Sequence, residues 1–232
     1  MLDISGKWVL LTGASRGIGR QVAGAFADRG CHLILHSRNL EHTFDQVARF
    51  QAAGLTAHAL AAELSDQKQV VRLAKQALRI SGGIDILYNN AAVQLPWRED
   101  MFETDPDEYR QSFQVNTIAP ITLCNMILPG MIERRFGRVV NVTSGIAGMP
   151  QMMPYAASKA ALDKYVYDIA PHLAGTGVTM NLLDPGWLRT DLGGPEAPNA
   201  VESVLPGALA PVLLEDDTCG KWFSAQDYAA KD

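Results

Sequence analysis

Short apolar runs alternate with amphipathic stretches along almost the whole chain. Trp8 to Leu11 reads as a buried strand. After it, Ile18, Val22, Ala25 and Phe26 recur at helical spacing. His32 to His36 predicts a second strand, followed by a helix carrying Phe44, Val47 and Phe50. Thr56 to Ala61 is a third strand, and Val70, Val71, Ala74, Ala77 and Leu78 mark the helix after it. Ile84 to Tyr88 is a fourth strand. Asp105-Pro106 predicts a helix start, with Asp as N-cap, Pro at the first helical position and Glu108 at the third. That helix runs to about Arg135. Val139 to Val142 is a fifth strand, Pro154 to about Leu173 a long helix, and Val178 to Leu183 a sixth strand. A short helix near Val201 to Val212 and a strand around Trp222-Phe223 close the sequence.

Strand alternating with helix predicts an α/β fold with a parallel sheet of about seven strands and helices on both faces. Right-handed crossovers make it a doubly wound, Rossmann-type sheet, with its ligand crevice at the carboxyl ends of the strands. The 232 residues fit a single domain over 1–232, and a hydrophobic content of 47% is ample for its core. There is no internal repeat, low-complexity segment or linker; the Gly/Pro-rich stretch from Asp191 to Asn199 is too short to divide domains.

Charge narrows the partners. A net charge of -5 argues against nucleic acid or an anionic membrane. No apolar run is read as a membrane span, and the first residues lack the basic-then-apolar pattern of a signal peptide. Cys31, Cys124 and Cys219 are scattered, which suits free thiols in a reducing, cytoplasmic compartment. The five histidines form no ligand pattern, so no metal is expected.

Two motifs carry chemistry. Thr12-Gly13-Ala14-Ser15-Arg16-Gly17-Ile18-Gly19 joins the first strand to the first helix. Glycines there allow a tight turn and close approach of backbone to a pyrophosphate, at which the helix directs its N–H groups. The spacing is G-x-x-x-G-x-G rather than G-x-G-x-x-G. Tyr155 and Lys159 stand four apart in a helical stretch, hence on one face. An ammonium beside a phenol lowers the phenol's pKa from about 10 and makes it a usable proton donor and acceptor. Alone, the pair also fits a solvated helix surface.

The glycine loop, Asn89-Asn90-Ala91-Ala92 after the fourth strand, Asn116, Ser144 after the fifth strand, the Tyr155/Lys159 pair, and Pro185-Gly186 followed by Thr190 together resemble the short-chain dehydrogenase/reductase family in order and spacing. The resemblance covers essentially the whole chain. It implies that Tyr155 exchanges a proton with the substrate oxygen. It implies that Lys159 lowers the Tyr155 pKa and binds the nicotinamide ribose, and that Ser144 fixes the carbonyl oxygen. Asn116 then holds a water in a relay from Lys159 to solvent. Ser144 also reads as a turn cap, and Asn116 as a partner for backbone groups in a helix irregularity. The hydride belongs to the cofactor.

Cofactor choice is read at the end of the second strand, where an NAD site usually has an acid. Here the chain has His36-Ser37-Arg38-Asn39. Arg38, with Ser37 beside it, and Arg16 are placed to flank a 2′-phosphate, which favours NADP(H) over NAD(H); the alternative is that both are solvated loop cations. Besides Gly13, Ser15, Gly17, Ile18 and Gly19 of the loop, the resemblance assigns Glu63 and Leu64 to the adenine edge, and Asn90, Ala91 and Ala92 to the floor beneath the adenosine. Pro185, Gly186 and Thr190 take the nicotinamide amide.

Gln94, Ile146, Met149 and Trp187 are the candidate substrate wall, with Leu95, Trp97, Met152, Met153 and Leu192 nearby and a short lid near 187–200. The function implied is a carbonyl–secondary alcohol oxidoreductase acting on a small molecule. Two alternatives stay open. One is a 3-oxoacyl thioester reductase docking a carrier protein on Arg134, Arg135 and Arg138; the other is a dinucleotide-sensing regulator without turnover. A homo-oligomer is expected: a dimer through the two long helices, or a tetramer.

Overall fold

In the computed structural model, which describes residues 1–228, seven parallel strands form one sheet. They are β1 (Trp8–Leu11), β2 (His32–Ser37), β3 (Ala57–Ala61), β4 (Ile86–Asn89), β5 (Gly137–Val142), β6 (Val178–Asp184) and β7 (Trp222–Ser224). Their spatial order is β3-β2-β1-β4-β5-β6-β7. The chain starts in mid-sheet, winds outward to β3, then returns to pair β4 against the free side of β1. That reversal opens a crevice at the carboxyl ends of β1 and β4.

The strands read as continuous apolar runs because both faces are covered. Along β1, Val9 and Leu11 enter one core with Val22, Phe26 and Tyr88, while Leu10 enters the other with Ile34, Leu73 and Leu123. Six α-helices cover the faces: α1 (Gly17–Ala27), α2 (Glu41–Ala52), α3 (Gln67–Ser81), α4 (Pro106–Phe113), α5 (Ala119–Glu133) and α6 (Met153–Ile169). Caps set their ends. Asp66 accepts from the N–H groups of Lys68 and Gln69 to start α3, which stops at left-handed Gly82. Asp105 caps α4 with Pro106 at its first position, as its sequence predicts.

Four elements depart from the sequence reading. The helix from Asp105 is not uniform, since a π-helical turn, Gln114–Ile118, separates α4 from α5. Together Pro106–Glu133 is long and apolar enough by composition to cross a membrane, contrary to expectation, and its most apolar stretch is a little over half buried. Ala119, Leu123, Ile127 and Met131 bury that face in the core. On α2, Phe44 points outward at 51% exposure, while Thr43, Gln46 and Phe50 face in. Gln46 Nε2 donates to the Ala14 carbonyl at 2.8 Å, so a polar strut stands on the inner face beside Val47 and Phe50, which pack inward as expected. The long helix tightens into a 3-10 turn at Ala170–Leu173, which holds Pro171. The expected helix near Val201 to Val212 is two 3-10 turns, Val201–Val204 and Gly207–Leu209, split around Pro206, which has no N–H to give.

Tyr88 ties this last segment to the sheet. Its buried hydroxyl donates to the Ala208 carbonyl at 2.8 Å. Tyr88→Phe leaves that carbonyl without its donor and should cost about 1–2 kcal/mol. Urea unfolding should show a lower midpoint at unchanged slope; an unchanged midpoint would show that the bond contributes nothing.

Candidate active site

The glycine loop between β1 and α1 folds onto itself. Gly13 has φ +67°, and a Cβ there would lie 2.9 Å from the Ala91 Cα. A Cβ on Gly19 would meet the Gly13 carbonyl oxygen at 2.1 Å. Only glycine fits either position. Arg16 stands as N-cap of α1, and its side chain makes no capping bond. The first-turn N–H groups of α1 therefore have no side-chain cap, and they make an anion site beside a cradle that a Cβ would fill. The pyrophosphate of a dinucleotide fits this arrangement.

The loop is braced from beneath. Thr12 Oγ1 accepts from the N–H groups of Asn90 (3.0 Å) and Ala91 (3.1 Å). Asn90 Nδ2 donates back to the carbonyls of Thr12 (3.0 Å) and Gly13 (3.1 Å). Asn90 thus spends its amide on the loop, with Ala91 and half-buried Ala92 beyond it.

His36 is a second brace that sequence reasoning left inside a strand. Its Nδ1 accepts from the Gly13 N–H at 3.3 Å, and its Nε2 faces the Ala62 carbonyl at 3.0 Å. A carbonyl only accepts, so this network assigns the hydrogen to Nε2 and leaves the ring neutral. Burial lowers its pKa to about 4, against smaller opposing effects of the Ala62 bond and Glu63. Its signal in the sequence was a lone polar residue ending an apolar run.

Around the expected 2′-phosphate position the cations differ. Arg38 is exposed and has no ion-pair partner among the described residues. Arg16 Nη1 pairs with Asp191 Oδ2 at 2.5 Å. Ser37 is buried and donates to the Asn39 carbonyl at 2.6 Å, shaping the turn. Glu63 Oε1 accepts from the Ser65 N–H at 3.1 Å, and Leu64 is buried.

The proton-handling groups meet at the same edge of the sheet. Helix α6 sets Tyr155 and Lys159 on one buried face, and the loop after β5 brings Ser144 near enough to the Tyr155 phenol to influence its pKa. Ser144 Oγ also accepts from the Ile146 N–H at 3.3 Å, so it caps the turn as well. The expected lowering of the Tyr155 pKa is reversed. Burial pushes it up to about 12; nearby Ser144 opposes this, and Asp184 and Asp163 add to it. Lys159 does not offset the burial, because its Nζ donates to the Val142 carbonyl at 2.7 Å and lies 5.8 Å from the centre of the Tyr155 ring. Burial lowers Lys159 itself to about 8, with Asp163 resisting.

Asn116 lies buried in the π turn. Its Oδ1 accepts from the Val93 N–H, and its Nδ2 donates to the Val93 carbonyl, each at 2.8 Å. Nδ2 also donates to Ser158 Oγ at 3.0 Å, and Ser158 Oγ donates to the Tyr155 carbonyl at 2.7 Å. The side chain therefore clamps the loop after β4 to the turn that carries Tyr155. This matches the reading of Asn116 as a partner for backbone groups. Ser158 is the link in this chain that the motif search passed over.

The substrate side is only partly enclosed. Gln94 and Ile146 are half-buried, while Trp97, Met149, Met153, Trp187 and Leu192 are exposed. The Trp187 indole donates to the Gly193 carbonyl at 2.7 Å, which holds it on its own loop. A narrow cleft reaches Tyr155 between Leu95, Glu108, Gln151 and Met152, with the Arg98–Glu108 ion pair beside it. A roomier hollow of about 490 Å³ lies elsewhere, beside Tyr167, Leu173 and Cys219, and contains none of these groups.

Pro185-Gly186 is held by the C-terminal segment: Gln226 Nε2 donates to the Pro185 carbonyl at 2.8 Å, and its side chain fills the space beside Gly186. A Cβ on Gly17 would lie 3.3 Å from the Thr190 methyl, so this segment reaches the glycine loop. The basic cluster is not gathered here. Arg134, Arg135 and Arg138 donate to the carbonyls of Ile84, Gly175 and Gly177 at the amino ends of the strands, the edge opposite Tyr155. Arg138 is buried, while Arg134 and Arg135 stay exposed at that edge.

The profile of the family described as short chain dehydrogenase matches residues 7–200. A short chain dehydrogenase of Pseudocercospora fijiensis is 36% identical over 84% of this chain and 63% of its own length. The human 17-beta-hydroxysteroid dehydrogenase 13 is 32% identical over 81% of this chain and 64% of its own. The chain thus spans less than two-thirds of these relatives. The crystal structure of a 3-oxoacyl (acyl-carrier-protein) reductase from Agrobacterium tumefaciens C58 with NADP bound superposes with a TM-score of 0.84 at 28% identity, covering 95% of this chain and 93% of that one.

His36 gives the site a pH limit. Its folded pKa of about 4 lies below its ordinary 6.5, so the unfolded chain binds the extra proton first. Its contribution to stability is complete above about 6.5 and is lost as pH falls through about 4. The thermal midpoint should fall across this window more steeply than in His36→Gln. Parallel curves for the two proteins would refute the strut.

Proposed function

The chain belongs to the short-chain dehydrogenase/reductase family, and on that footing we propose that it is an NADP(H)-dependent oxidoreductase that interconverts a carbonyl and a secondary alcohol on a small molecule. The observation that carries this reading is the gathering of Ser144, Tyr155 and buried Lys159 at the same sheet edge as the glycine cradle. A nicotinamide bound there supplies or accepts the hydride.

The chain's own groups handle the oxygen and its proton. Ser144 donates to the substrate oxygen and holds it near the phenol. Burial keeps Tyr155 protonated at neutral pH, so it is ready to give a proton to the oxygen of a carbonyl being reduced. Oxidation needs the phenolate, which the same burial disfavours. The phenolate left behind recovers its proton from the side of Lys159, whose depressed pKa makes it a willing donor. Asn116 serves this step by fixing the Ser158–Tyr155 turn. Exposed Arg38 supports a preference for the 2′-phosphorylated cofactor, as does the NADP held by the Agrobacterium relative.

A 3-oxoacyl thioester is a second substrate reading, favoured by the likeness to that 3-oxoacyl (acyl-carrier-protein) reductase. The arginine cluster lends it no support, because it lies on the far edge. The complete Ser144, Tyr155 and Lys159 set speaks against a regulator without turnover.

Tyr155→Phe should lower kcat by about 10²–10⁴-fold in NADPH-driven reduction of a carbonyl panel, with cofactor affinity retained. Wild-type turnover in that variant would sink the mechanism. Side-by-side titration with NADPH and NADH should show preference for NADPH, reduced by Arg38→Asp; equal binding would remove the cofactor assignment.

A further inference from the structure

The ion pair between Arg16 and Asp191 joins two segments that line opposite sides of the cofactor crevice. Arg16 is the N-cap of α1 in the glycine loop. Asp191 follows Thr190 in the loop after β6. Both side chains are two-thirds exposed, and their charged atoms lie 2.5 Å apart. The sequence reading gave Arg16 to a 2′-phosphate; the structure gives it a carboxylate.

The Asp191 loop is a self-braced unit. Arg189 N donates to the Asn199 carbonyl at 2.9 Å, and Arg189 Nη1 donates to the carbonyls of Ala197 (3.0 Å) and Pro198 (2.7 Å). Gly194 N donates to the Thr190 carbonyl at 2.8 Å. Such a loop can shift as one piece. It meets the glycine loop through the Arg16–Asp191 pair and the Thr190–Gly17 approach.

We infer that Asp191 is a cofactor-specificity residue, which competes with a 2′-phosphate for Arg16 and tethers its loop to the glycine loop when no such phosphate is present. This rests on the proposed reading of Arg16 as a 2′-phosphate ligand. An exposed pair is weakly held and opens readily. A phosphate monoester carries more charge than a carboxylate and accepts the guanidinium fork bidentately. When Arg16 turns to it, Asp191 is released and the loop loses its ionic tether. A dinucleotide without the phosphate leaves the pair closed. The carboxylate thus lowers affinity for the phosphorylated cofactor and does not touch affinity for the other.

The test is fluorescence titration of the full chain with NADPH and NADH, for wild type, Asp191→Asn, Arg16→Gln and the double variant. Asp191→Asn should tighten NADPH about two- to fivefold, the range of an exposed pair, and leave NADH unchanged. In the Arg16→Gln background the same substitution should give no gain. An equal effect on both cofactors overturns the inference. So does an unchanged NADPH affinity in Asp191→Asn while Arg16→Gln weakens NADPH alone. If Arg16→Gln leaves the NADPH/NADH ratio unchanged, the phosphate reading of Arg16 is the part that fails, and the inference fails with it.

Discussion

The carbonyl of Gly13 occupies the space that a side chain at position 19 would need, 2.1 Å from where its Cβ would sit. This contact sets how closely α1 can begin behind β1, and so whether its N–H groups face the crevice. The surrounding polar residues maintain it. Thr12 and Asn90 grip the loop from the β4 side, His36 from the β2 and β3 side, and Gln46 reaches it from α2. Four elements thus converge on one turn of backbone. None of the four side chains needs to touch a ligand for binding to depend on it.

A second constraint is dryness. Tyr155, Lys159, Asn116 and Ser158 are all buried. In that setting desolvation outweighs the mutual influence of the phenol and ammonium, raising one pKa and lowering the other. Burial thus sets the two proton affinities apart: the phenol holds its proton more tightly and the ammonium gives its own up more readily.

Much of this was legible in the sequence. The strand runs, the Asp105-Pro106 start and the spacing of Tyr155 and Lys159 each report a local rule, and each appears in the structure close to where the rule puts it. What stayed hidden depends on partners distant in the chain. Nothing next to Arg16 announces Asp191, and nothing next to Asn116 announces Val93 or Ser158. Phe44 misled because periodicity locates an amphipathic face only when the inner face is apolar, and here it holds Thr43 and Gln46. The π turn was legible only as the helix irregularity that one reading of Asn116 offered, because its apolar pattern runs on without a break.

That extra residue has a consequence for how the helix from Pro106 to Glu133 should be understood. It is one element by length and two by phase. Each residue of an ordinary helix advances about 100°, and the wider π turn at Gln114–Ile118 absorbs one extra residue, so the faces of α5 lag by about that amount behind those the numbering of α4 would give. The first half packs on α6 while the second lies along the sheet. Removing one residue there would restore regular bonding and leave α5 facing its neighbours much as before. What would be lost is the wide turn itself, from which Asn116 reaches Val93 and Thr117 reaches Ser158.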